Sequence, residues 1–183
     1  MEIAERLEKL KERFKDDNFL SNRGISNQVG IYIFDYDPKD EMAIRFFLKS
    51  IKNETGFNAI EHDLYEILKG IIEDDDVMDD LLSLEEEEGK EALEEQIKSA
   101  IDPREYIKKM EYTNHKKGDI LIVSGVGKIY PFVRVHTLLE NVMNCFNDIP
   151  VVVFYPGRYD GKTLTLFNKF FDDNHYRSFT LIK

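Results

Sequence analysis

Asp35 and Asp37 close the run VGIYIFDY (29–36) and the turn that follows it. In an extended strand, residues two apart face the same side. Two carboxylates so placed can hold a magnesium ion whose remaining ligands are water. Asp160, after a second apolar run, joins them as a candidate metal ligand if both runs are parallel strands ending at one edge. The competing reading makes one aspartate a helix cap and the other a turn former. The stretch Asp172-Asp173-Asn174-His175 is a further carboxylate-rich turn, placed just before a last predicted strand.

Ser124-Gly125-Val126-Gly127-Lys128 follows one apolar run and precedes a helical one, the setting of an anion-binding turn. Its spacing excludes a Walker loop. The glycine required five positions before the glycine–lysine pair is Ile122, and the hydroxyl residue required after the lysine is Ile129. A dinucleotide fingerprint fails as well, because its third glycine position is Tyr130. Ser124, Gly125, Gly127 and Lys128 therefore read either as a weak anion site or as a tight strand-to-helix turn. In GRYDG, two glycines frame Arg158, Tyr159 and Asp160. Arg and Tyr are enriched where proteins bind one another, so the loop is a candidate partner-binding element, or else a salt-bridged turn.

Other chemistry is weakly supported. His62, His115, His136 and His175 show no zinc spacing. Arg134 and His136 are two apart on a predicted helix and do not face each other. Cys145, the single cysteine, has no histidine near it in sequence, and no serine sits in a nucleophile elbow. No catalytic or cofactor motif is complete, and no cofactor is expected.

The elements that must position these residues are legible from periodicity. Ile3, Leu7, Leu10 and Phe14 are spaced as one face of a helix. Asp37 or Asp40 is placed to cap a helix over 39–53. A second strand covers 57–61, and Asp63 caps a helix beyond it. Acidic helices fill 75–100, broken near Gly89, and Asp102-Pro103 opens the next helix. Ile120–Val123 and Val151–Tyr155 read as buried strands, with a helix over 132–146 between them. PGRYDG reads as a loop, 163–167 as a short helix or turn, and 178–182 as the final strand. Apolar strands separated by helices indicate an α/β fold, a Rossmann-like three-layer sandwich around a mainly parallel central sheet of about five strands. Ligands of such folds bind beyond the carboxyl ends of the strands, where Asp35, Asp37, Lys128, Arg158 and Asp160 would gather.

The chain of 183 residues fits one domain. The segment Glu73–Glu95 holds thirteen acidic residues and only Lys90 as a base, so it carries essentially all of the net charge of −11. The expected organisation is a single domain over 1–183 with an acidic helical insertion at about 73–100. This segment is either a solvated helix pair or a docking surface for a basic partner. A near-neutral body without a basic stripe disfavours direct nucleic-acid binding. No apolar stretch approaches the roughly 18 residues of a membrane span. The N-terminal residues MEIAERLEKLKERF lack a signal-peptide core, so the expected compartment is the cytoplasm.

Taken together, FLSNRGISNQVGIYIFDYDPKDE (19–41), SGVGKIYPFVRVHTLLENV (124–142), VVVFYPGRYDGKTLTLFN (151–168) and DDNHYRSFTLI (172–182) resemble the BrxB family of BREX phage-resistance systems. YPGRYDG followed by DDNHYR is the most specific part of the match. The resemblance implies an accessory or assembly subunit, more a binding protein than an enzyme. Its expected partners are other BREX components, above all the phosphatase-like PglZ. It supplies no catalytic residues. Two other readings stand beside it: a metal-dependent hydrolase or nuclease using Asp35, Asp37 and Asp160, and a nucleotide or anion sensor at 124–128.

Overall fold

A computed structural model describes residues 1–22, 30–74, 78–174, 176 and 178–182, with the backbone alone at Met143. The amphipathic N-terminal run forms helix α1 (Ile3–Phe14), which buries Leu7, Leu10 and Phe14. The side chain of Asp16 caps a one-turn helix, α2 (Asp17–Leu20). Strand β1 (Ile31–Tyr36) ends at Asp37, whose carboxylate caps a 3-10 turn leading into α3 (Glu41–Ile51). Of the two predicted caps Asp37 therefore fills the role, while Asp40 makes no side-chain cap bond. Strand β2 (Asn58–Asp63) runs directly into α4 (Leu64–Asp74). The acidic helices α5 (Met78–Glu88) and α6 (Lys90–Ala100) are separated by Gly89 at φ +90°, a conformation that favours glycine. Asp102 caps α7 (Pro103–Met110) by accepting from the Arg104 amide, with Pro103 in the first turn.

Strand β3 (Asp119–Ser124) is buried along its whole length, as its unbroken ILIV run demands. After a 3-10 turn over Val126–Lys128 comes α8 (Val135–Cys145), shorter at its start than the periodicity predicts. Strand β4 is longer than expected, spanning Val151–Tyr159, and the remaining strands are β5 (Leu164–Leu166), β6 (Phe170–Asp172) and β7 (Phe179–Thr180).

The sheet order is β2-β3-β4-β1-β7, and these five strands are parallel. The chain crosses from β1 to the far edge through α3, then returns through β3 to β4 by way of the later helices. Alternate strand residues serve opposite faces. Phe34, Ile120, Ile122, Val152 and Phe154 pack with α1 and α3. Ile33, Leu121, Val123, Val151 and Val153 pack with α4 to α8. The result is the predicted Rossmann-like sandwich with helices on both faces of a mainly parallel sheet.

Two local expectations are corrected. PGRYDG is not wholly a loop: Pro156 to Tyr159 continue β4, and the turn begins at Asp160. Residues 163–167 are not helical, because β5 pairs antiparallel with the β4 extension and β6 pairs with β5. The reason lies in the change of partner at Pro156. Up to that residue β4 lies beside β1, and from Gly157 onward it pairs with β5. Proline has no N–H to give to a ladder, so it fits where one ladder ends and another begins. Among the described residues, no helix is long and apolar enough to cross a membrane.

Candidate functional site

The carboxyl ends of β1 and β3 and the extension of β4 meet at one edge, as a parallel sheet requires. There Asp35 is held on both oxygens. Oδ1 accepts from Arg6 Nη2 at 3.0 Å and Oδ2 accepts from the Tyr159 amide at 3.1 Å. The Arg6 guanidinium lies 4.7 Å above the Phe34 ring and also donates to the Ile182 carbonyl at 3.2 Å. One carboxylate thus joins α1, β1, the β4 extension and the C-terminal segment.

Asp37 and Asp160 are engaged separately. Asp37 accepts from the Lys39 amide at 3.1 Å, and this bond, with the nearby Lys39 and Arg158 charges, holds its carboxyl below the usual carboxylate range. Asp160 accepts from the Thr163 amide at 2.7 Å, the Thr163 hydroxyl at 2.9 Å and the Lys162 amide at 2.8 Å. The Thr163 bonds lead in lowering its pKa. Among the described residues, no three His, Cys, Asp or Glu side chains are grouped so as to hold a metal ion.

The 124–128 turn is built by close packing. Ser124 donates its hydroxyl to Glu61 Oε1 at 2.9 Å. Gly125 adopts φ +75°, and a Cβ there would lie 2.3 Å from Asp63 Oδ1. At Gly127 a Cβ would lie 2.6 Å from the Phe167 ring. Lys128 is ion-paired with Asp63 Oδ2, while Asp63 Oδ1 accepts from the Tyr65 amide at 2.9 Å and so starts α4. The glycines make room for Asp63 and Phe167, and the lysine charge meets a carboxylate of the same chain.

Of the GRYDG residues, Arg158 is exposed and has no ion-pair partner among the described residues. Tyr159 is buried, its hydroxyl donating to the Ser178 carbonyl at 2.9 Å. Asp160 is exposed but bound up in its turn. The β4–β5 hairpin therefore covers the strand ends: its Tyr159 amide meets Asp35, and Phe167 covers Gly127.

Sequence reasoning did not find the surface beside this hairpin. A groove of about 730 Å³ runs between residues 130–135 and residues 169–173. Tyr130 and Phe170 meet across it with ring centroids 4.8 Å apart. Phe170 and Phe171 are 45% and 67% exposed, unusual for phenylalanine in a strand. At its floor, Asp172 accepts from the Tyr176 hydroxyl at 2.6 Å and from Asn174. Burial alone would raise the Asp172 carboxyl, but these bonds bring it below its ordinary value. The sequence signal was FNKFFDD, whose adjacent phenylalanines do not alternate with polar residues and so advertised no strand.

His62 lies on β2, and His115 packs between the Tyr112 and Phe146 rings. His62 is half-buried, with Nε2 unpartnered among the described residues, and burial pushes its imidazole below 6.5. His115 Nδ1 lies 2.7 Å from Asp148. His136 lies against the Tyr176 ring, and His175 falls outside the described residues. At the opposite edge of the sheet, buried Asp119 accepts from Asn58 at 2.8 Å, the Lys116 amide at 2.9 Å and Tyr112 at 3.0 Å.

These features define a doubly wound α/β protein whose strand-end crevice is covered by its own hairpin. A family model described as "BREX protein BrxB" matches residues 60–181. A BREX protein BrxB of Bacillus cereus (strain H3081.97) is 34% identical over 98% of this chain and 97% of its own length. A second, from Escherichia coli O9:H4 (strain HS), is 26% identical over 97% of this chain and 90% of its own. The chain belongs to the BrxB family of BREX proteins. No solved structure matches it significantly.

Proposed function

We propose that this chain is a non-enzymatic accessory subunit of a BREX phage-defence complex, binding other BREX proteins and PglZ foremost. The observation that carries the reading is the covered strand edge. Asp35, Asp160 and Lys128, the side chains best placed for chemistry, are committed to Arg6, Thr163 and Asp63. Arg158 remains outward and available to a partner. Family membership supplies the setting.

The test is a pull-down of the tagged chain with its BREX neighbours at low and moderate salt. Stable recovery of PglZ or another BREX protein is expected, and recovery of none refutes the reading. Titration with magnesium and manganese should give no heat. A nucleotide bound at 124–128 would raise the melting temperature, since a ligand at a hundred times its Kd stabilises by about 2.7 kcal/mol; no such rise is expected.

A further inference from the structure

The acidic helices are held to the molecule by very little. Helices α3, α5 and α6 each have eleven residues, yet α3 buries four side chains while α5 buries only Leu81 and α6 only Ile97. Their seat is incompletely filled. A cavity of about 350 Å³ lies between α4, α5 and α6, lined by Ile71, Ile72, Leu81, Leu84, Ile97 and Ile101. Side chains that face such a space lack packing partners on one side. No polar contact makes up the difference. Among the described residues, the side-chain bonds of the pair stay inside one helix: Ser83 to the Asp79 carbonyl, Ser99 to the Gln96 carbonyl and Lys98 to Glu94. The neighbouring helices α4 and α7, by contrast, are tied together by the ion pair of Asp74 and Lys109.

Charge also works against the pair. Helix α5 holds six acids and no base, and α6 holds three acids with Lys90 and Lys98. Glu85–Glu88 fill the last turn of α5, where the helix dipole is negative and a base would be favoured. On α6, Glu91 and Glu95 are a like-charged pair four residues apart, a spacing that destabilises a helix. Helix α7 is built the other way, with Asp102 as its cap and Lys108 and Lys109 in its last turn. Elements with little buried apolar surface open at a lower free energy than the core. We propose that α5 and α6 form a flap that opens as one unit while the sheet and the other helices stay folded, and that screening or neutralising its carboxylates closes it. Opening uncovers Ile71, Ile72 and Ile101. The charge around the flap thereby controls access to an apolar strip on α4 and just before α7.

Hydrogen–deuterium exchange on the full chain tests this. The amides of 78–100 should exchange together, about tenfold or more faster than those of β3 and α4. Protection equal to that of β3 and α4, or one helix exchanging without the other, overturns the flap. Raising NaCl from about 0.1 M to about 1 M shortens the screening length from about 10 Å to about 3 Å. That change should slow exchange of 78–100 by about threefold or more, and by more than it slows β3. Glu85→Gln, Glu86→Gln, Glu87→Gln and Glu88→Gln combined should give slow exchange already at low salt and remove most of the salt response. A salt response kept in full by that variant overturns the control by charge. Ala100 lines the cavity, and Ala100→Leu should slow exchange of both helices at either salt concentration. Rates unchanged in Ala100→Leu overturn the placing of the flap over this cavity.

Discussion

Asp35→Ala should destabilise the protein, and by an amount the structure sets. The Arg6 and Asp35 side chains are 17% and 21% exposed, so their ion pair is only partly screened by solvent. The substitution removes a charge-assisted bond from Arg6 and the acceptor of the Tyr159 amide. Arg6 keeps the Ile182 carbonyl, which limits the loss. Bonds to charged groups contribute about 1.5–3 kcal/mol each, and with partial retention the expected cost is about 3 kcal/mol in total. For a chain of this size each kcal/mol lowers the melting temperature by roughly 2–4 °C, giving a fall of about 6–12 °C. Urea unfolding followed by circular dichroism measures it. The cycle with Arg6→Met should return a coupling of about 1–2 kcal/mol. A metal-site carboxylate held near other acids would behave in the opposite sense, since its removal relieves repulsion. An Asp35→Ala protein as stable as the parent, or more stable, refutes the argument that this residue is a structural clamp.

Three further outcomes follow from the same geometry. Gly127→Ala should cost about 1–3 kcal/mol through overpacking against Phe167, and Phe167→Leu in the same chain should recover part of it in the same urea assay. Ile122→Ala, in the buried centre of β3, should cost about 2–5 kcal/mol with an unchanged denaturant slope. Burial favours neutral His62 in the folded state, against the opposing pull of Glu61. Its folded pKa is depressed, so its contribution is complete above pH 6.5 and is lost as pH falls below that value. His62→Gln should therefore flatten the acid side of a melting-temperature profile; an unaltered profile would show that the imidazole is not a linked group.

The buried framework was readable because its signals are local. The ILIV and VVVFY runs, the Asp102-Pro103 start and the break at Gly89 each announce themselves within a few residues. The hairpin did not. Pro156 and Gly157 look like the end of a strand, yet they mark a change of partner within one. The β5–β6 turn places Phe167 and Asn168 at φ +52° and +59°, and a phenylalanine at positive φ gives no turn signal. The site was half legible for a related reason. Strand direction brings Asp35 and the 158–160 segment to one edge, as expected. Which partner each takes depends on contacts such as Arg6 to Asp35 and Lys128 to Asp63, far apart in sequence and invisible to spacing rules.

The segregation of charge onto α5 and α6 makes the molecule a permanent electric dipole, since Glu85–Glu88, Glu91, Glu94 and Glu95 stand together while the body is near neutral. A dipole turns in the field of an approaching charged surface before any contact forms. Its effect falls on the frequency of productive encounters more than on the lifetime of the complex.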